Sequence, residues 1–75
     1  MILALDQIGT DVWGCVSRID TTSQLRKRLQ DFGLVPRTRV RCRYKSPDGD
    51  VLAIELRGSV LALRKRDAHR IQVCI

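Results

Sequence analysis

Ser23 to Lys45 reads SQLRKRLQDFGLVPRTRVRCRYK, and its hydrophobic period changes midway from helical to extended. In the first half Leu25, Leu29 and Phe32 fall at i, i+4 and i+7, the apolar stripe of one amphipathic helix over about residues 23–32. The polar run Asp20-Thr21-Thr22-Ser23 supplies N-cap chemistry before it. Gly33 stands where a left-handed C′ residue ends a helix, Leu34 is placed to touch Leu29 as in a Schellman ending, and Pro36 blocks continuation. From Arg39 to Lys45 the period is two. Val40, Cys42 and Tyr44 are expected to face a core, and Arg39, Arg41, Arg43 and Lys45 to face out.

Reading outward, Asp11 to Ile19 (DVWGCVSRI) is rich in Val, Ile and Trp and predicts a first strand. Past Lys45, Ser46-Pro47-Asp48-Gly49-Asp50 carries the Asp-Gly hairpin signal, and Val51 to Leu56 returns as a strand. Gly58-Ser59 makes a tight connection into Val60 to Leu63. Residues 66–69 make a short helical turn, and Ile71, Val73 and Ile75 alternate in a closing strand. The prediction is a mainly β chain, one domain over residues 1–75. Its five strands form a closed or nearly closed barrel, covered by one helix.

Composition narrows the function. With 75 residues the core is thin, and there is no room for both a deep catalytic cleft and a complete core. Only Trp13, Phe32 and Tyr44 are aromatic, so the interior rests on Val, Ile and Leu. No apolar run reaches the roughly 18–20 residues of a membrane helix. Met1 to Leu5 is too short for the apolar region of a signal peptide and Asp6 ends it, which places the chain in the cytoplasm. Cys15, Cys42 and Cys74 are odd in number and lack CxxC spacing, so they read as buried free thiols rather than a disulfide framework. Their convergence on a metal is the lesser reading. His69 stands alone, with no second histidine or cysteine pair beside it, and is expected at the surface without a metal or cofactor. No nucleophile has an evident base, and no glycine loop cradles phosphate, so neither catalysis nor a small-molecule substrate is expected.

The charge is the informative part. Fourteen Lys and Arg stand against eight Asp and Glu, a net charge of +6. Such a surface attracts an acidic protein face, acidic lipid or nucleic acid. A solvated face is the plain reading of any one cation. Four on one strand face repel each other, and an acidic partner would relieve that cost. Arg37, in the turn between helix and strand, joins Arg26 and Arg28 to Arg39, Arg41 and Arg43 in one candidate partner-binding patch. Arg64 is expected to pair with a nearby acid. Scarce aromatics speak against single-stranded nucleic acid, which is held by stacking.

The run Leu25-Arg26-Lys27-Arg28-Leu29-Gln30-Asp31-Phe32-Gly33-Leu34-Val35-Pro36-Arg37-Thr38 resembles the signature of the FeoA family. Gly49-Asp50, Leu61-Ala62-Leu63-Arg64, Ala68 and Ile71-Gln72-Val73 follow in the family's order, and Gly9 and Val16 to Ile19 fit its opening strand. Two turn positions depart from the pattern: Arg37 stands where the family has glycine, and Val51 where it has proline. The resemblance implies a small SH3-like barrel. It further implies a non-catalytic accessory protein of bacterial ferrous-iron uptake. Such a protein binds and modulates the permease FeoB, whose G-protein domain is cytoplasmic, and is recruited by it to the inner face of the plasma membrane. A similar barrel ends iron- and manganese-dependent repressors. The competing readings are a small basic barrel for nucleic acid and a detached barrel serving such a repressor.

The helix assignment is directly testable. If Leu29 faces the core, Leu29→Ala costs about 2–5 kcal/mol in a denaturant melt. A loss below about 1 kcal/mol would mean that another face of the helix is buried.

Overall fold

The computed structural model describes all 75 residues, Met1–Ile75. In chain order the elements are β1 (Ile2–Ala4), a 3-10 turn (Leu5–Gln7), β2 (Trp13–Ile19), α1 (Ser23–Asp31), β3 (Arg39–Lys45), β4 (Val51–Leu56), β5 (Ser59–Arg64), α2 (Lys65–Ala68) and β6 (Ile71–Cys74). The strands form one antiparallel sheet in the order β1-β6-β2-β3-β4-β5, wrapped around a core of 15 buried residues. It is the mainly β, SH3-like small barrel that the sequence predicts. The count of strands is six, because Ile2–Ala4 pairs with β6 (Leu3 opposite Val73) and so forms a strand of its own. Three residues are too few to show a period; what makes them a strand is the β6 edge. No helix is long and apolar enough to cross a membrane.

The helix ends are as the residues dictate. Thr22 caps α1, its hydroxyl oxygen accepting from the Leu25 N–H at 3.3 Å. At the other end Gly33, with φ +85°, donates to the Gln30 carbonyl (2.8 Å) and Leu34 to that of Leu29 (2.9 Å), the two bonds of a Schellman motif. Leu29 and Leu34 are both buried, so the motif folds the chain back onto the core it covers. Phe32, however, is 55% exposed. It is the C-cap residue, where the helix has already stopped, and the stripe therefore reaches the core through Leu29 with Leu25 half-buried at its border.

Val35 to Thr38 form the turn that returns the chain to the sheet. The Thr38 N–H donates to the Val35 carbonyl at 3.1 Å, and Arg37 at the third position has φ +77°. This is the backbone of a type II turn, which wants glycine there. An arginine in this conformation carries steric cost, and the turn holds because it is tied at several points. The Arg37 N–H donates to Val16 (2.6 Å) and Val16 donates to Thr38 (2.8 Å). The buried Thr38 hydroxyl donates to Gly33 (3.0 Å) and accepts from Val35 (3.2 Å). The other departure sits easily: the Val51 N–H donates to Ser46 Oγ at 3.0 Å, a bond that a proline could not make.

Arg37→Gly should therefore stabilise the chain by about 1 kcal/mol, the left-handed penalty less the added freedom of the unfolded glycine. A denaturant midpoint that rises at unchanged slope is the expected result.

Candidate partner-binding face

Strand β3 departs from strict alternation. Its register with β4 runs Arg41–Glu55 and Cys42–Ile54, then slips, so that Tyr44 faces Ala53 and Lys45 faces Leu52. Arg43 is the extra residue of a bulge. One inserted residue reverses the parity of everything after it. Tyr44 consequently lies on the outer face and is 58% exposed, against the expectation of a core residue. Lys45 leaves the outward cationic row for the other side. There its ammonium donates to the carbonyls of Ile8 (3.1 Å) and Asp6 (3.4 Å) and ties β3 to the 3-10 turn.

The outer row that remains is Arg39, Arg41 and Arg43, and it is internally balanced. Arg41 donates through Nε (3.0 Å) and Nη2 (2.8 Å) to Glu55 Oε1 on β4, and Arg43 donates to the same oxygen at 3.0 Å. Arg43 also lies 3.4 Å from Asp11. Asp11 is carried on a left-handed residue (φ +64°), whose N–H donates to the carbonyl of Cys42. The mutual repulsion expected of the row is thus relieved inside the chain by Glu55 and Asp11, and a partner is not needed for that purpose. Sequence reading missed Glu55 because its pairing depends on a hairpin register and a bulge. Its one available signal was the acid's place in the strand after the Asp-Gly turn.

Trp13 is the second residue that sequence reading passed over. It sits opposite Arg41 in β2, 38% exposed, with the guanidinium carbons of Arg41 and Arg39 at 4.7 and 4.9 Å from its ring centroid. Both lie within cation–π range. The result is an exposed indole flanked by two arginines, one of which, Arg39, has no acid of its own. Arg37 is exposed in the adjoining turn.

The helix arginines divide. Arg26 donates to the Ile19 carbonyl at 2.8 Å and braces α1 against the end of β2. Arg28 points to the opposite flank, toward α2 and β5. The structure therefore brings Arg37, Arg39, Arg41 and Arg43 together, sets Arg26 at one border, and separates Arg28 from them.

The remaining candidates are scattered. Cys42 is buried in the core as expected, but Cys15 is half-buried and Cys74 exposed, register partners across β2 and β6. No three His, Cys, Asp or Glu residues converge. His69, exposed at the end of α2, lies 3.2 Å from Asp6 and joins α2 to the 3-10 turn.

The hydrogen bonds from Arg41 and Arg43 hold the Glu55 carboxyl below its ordinary value of 4.5. A carboxyl that titrates lower in the folded than in the unfolded chain contributes stability above the unfolded value and loses it as pH falls through the folded one. Thermal melts should therefore fall between about pH 6 and about pH 3, and Glu55→Gln should flatten this dependence. Asp48, whose carboxyl is lowered first by the Ser46 hydroxyl, contributes a slope of the same sign that the variant keeps. An unchanged slope in the variant would mean that the pair contributes nothing.

Comparison with known proteins supplies the context. None of the curated proteins matches the sequence. Among solved structures, the FeoA protein from Chlorobium tepidum superposes with a TM-score of 0.93 at 26% identity, over 97% of this chain and 70% of its own. The FeoA-like protein from Clostridium acetobutylicum gives 0.86 at 32% identity, over 99% and 86%. A manganese-dependent transcriptional repressor gives 0.88 at 19% identity, over 97% of this chain but 41% of its own, a likeness of fold alone. The family model of the FeoA domain matches residues 3–74, and the chain belongs to the FeoA family.

Proposed function

We propose that this chain is a non-catalytic accessory protein of ferrous-iron uptake. In this reading it acts in the cytoplasm as one domain, docking on the G-protein domain of a FeoB-type permease at the inner face of the plasma membrane. Membership of the FeoA family supports the process. The observation that carries the docking surface is the exposed Trp13 between Arg39 and Arg41. Tryptophan and arginine are the residues that most often dominate binding energy, because each buries a large rigid area. Here the two arginines keep the indole oriented while Arg39 stays free to meet a carboxylate. Arg37, Arg41 and Arg43 extend the face, and Arg26 and Arg28 lie at the helix flanks beyond it.

The second reading, nucleic acid, rests on the same group, since an exposed indole among arginines on a chain of net charge +6 also suits a stacked base. A protein partner accounts better for the internal acids Glu55 and Asp11, which would repel phosphates brought onto this face. A detached barrel serving a repressor has only the shared fold behind it.

The test uses Trp13→Ala and Arg39→Glu together, because neither residue is part of an ion pair. Reversing Arg41 and Arg43 instead would crowd Glu55 and Asp11 with two more carboxylates and endanger the fold. Surface plasmon resonance against the permease's G-protein domain should show about a tenfold or greater loss of affinity, with an unchanged circular dichroism melt. Wild-type association should slow as salt rises. If the folded double variant binds like wild type, this face is not the docking surface. If wild type instead binds single-stranded DNA at physiological salt and not the G-protein domain, the second reading replaces the first.

A further inference from the structure

Strand β5 is the last of the sheet and pairs only with β4. Its register runs from Leu56–Ser59 to Val51–Arg64 without a slip, whereas β2 and β3 both carry bulges. The turn Arg57-Gly58 has φ +49° and +78°, a two-residue hairpin loop of the I′ kind. The pairs Leu56–Ser59, Ile54–Leu61 and Leu52–Leu63 therefore exchange the ladder bonds, and the backbone groups of Val60 and Ala62 point away from β4. No turn, loop or cap hydrogen bond takes up these groups.

An edge like this is unusual for a natural protein. Edges are ordinarily blunted with a bulge, a proline, an inward charge or a covering element. Here Val60 to Leu63 (VLAL) is apolar and regular, and Val60 is 62% exposed. Beside the edge, between β5 and α1, runs a groove of about 400 Å³. Leu25, Phe32 and Leu61 form its apolar floor, and Arg28, Arg64 and Arg66 stand on its walls against one acid, Asp67. Arg64, expected to pair with an acid, makes no ion pair, and neither do Arg28 and Arg66. Phe32, turned out at the C-cap of α1, gives its exposed ring to this floor.

We propose that β5 is a peptide-docking edge. The occupant is an extended partner segment of alternating apolar and acidic residues, which adds a seventh strand to the sheet. Main-chain bonds to Val60 and Ala62 hold it. Its apolar side chains, all of one parity, enter the groove over Leu25, Phe32 and Leu61, and its carboxylates meet the three unpaired arginines. The charge of the walls selects this occupant over a basic or neutral strand, and over a second copy, whose own β5 would bring Arg64 against arginines. The inference does not rest on the docking surface around Trp13, which lies on β2 and β3.

The experiment uses the whole chain and an acetylated, amidated hexapeptide alternating Glu and Val. Binding is followed by NMR, with hydrogen exchange read at single amides. At saturating peptide, exchange at Val60 and Ala62 should slow at least tenfold, while the Trp13 amide is unchanged. Two N-methylated peptides, each blocking the donors of one edge, should differ: one binds and one does not. Ala62→Pro removes a donor that the β4 ladder does not use, so it should abolish binding with an intact melt. Should that variant unfold, Arg64→Glu decides, weakening the Glu-Val peptide and favouring its Lys-Val counterpart. The proposal is overturned if the peptide fails to bind at millimolar concentration or binds without slowing those amides. It is also overturned if the two N-methylated forms bind alike. Slow exchange at Val60 and Ala62 in peptide-free protein that sediments as a dimer would assign the edge to a second copy, and that too overturns it.

Discussion

In β3 the chain spends one more residue than the ladder requires, and what the barrel presents to the outside follows from that. Without the bulge at Arg43, Tyr44 would compete for a core already filled by Cys42, Leu52 and Ile54, and Lys45 would project from the outer row. Up to the bulge the outer row is kept, and Arg41 and Arg43, two positions apart on one face, both donate to a single Glu55 oxygen. Lys45, turned the other way, reaches the carbonyls of Asp6 and Ile8 and closes β3 onto the N-terminal turn. One slip of register thus sets the balance of charge on the outer face and anchors one corner of the barrel.

The second constraint is the closure of α1 over the core. A chain of this size has 15 residues in its interior, so each must be held in place by backbone geometry rather than by surplus burial. Leu29 and Leu34 are locked by the Schellman bonds, and Thr38 bridges the helix end to the turn that follows. Arg37 tolerates its left-handed backbone because its N–H is bound to Val16 on β2. Strain at one residue persists where several bonds over-determine it.

These two constraints also separate what the sequence discloses from what it hides. An N-cap within Asp20 to Ser23, the left-handed Gly33, the contact of Leu34 with Leu29 and the Asp48-Gly49 turn are local, decided within about four residues, and each was legible. The bulge was not, because an extra residue leaves no mark in the composition of RVRCRYK; it exists only relative to β4. Strand β1 was hidden for the same reason, its partner being β6 at the far end of the chain. On the candidate face, the arginines were legible as a row. Trp13 and Glu55, which orient and neutralise that row, were not, since they arrive through pairings 28 and 14 positions away along the chain (13 to 41, 41 to 55).

The outer surface divides its cations into two kinds, and the division bears on what each can do. Arg41 and Arg43 are already satisfied by Glu55, so a partner that took them would first have to break a bidentate pair; they hold shape more than they attract. Arg39, with Trp13 beneath it, and the groove arginines Arg28, Arg64 and Arg66 have no acid of their own. A cation without an internal partner keeps its full electrostatic reach toward an approaching surface, screened only by salt. Two groups of cations without an ion pair each sit beside an exposed aromatic ring: Arg39 beside Trp13 on β2, and the groove arginines beside Phe32 at the end of α1. A barrel whose interior is consumed by holding itself together has its chemistry left at its surface. Here that chemistry is apolar area next to unpaired positive charge, the combination that the proposed recognition of acidic protein partners would draw on.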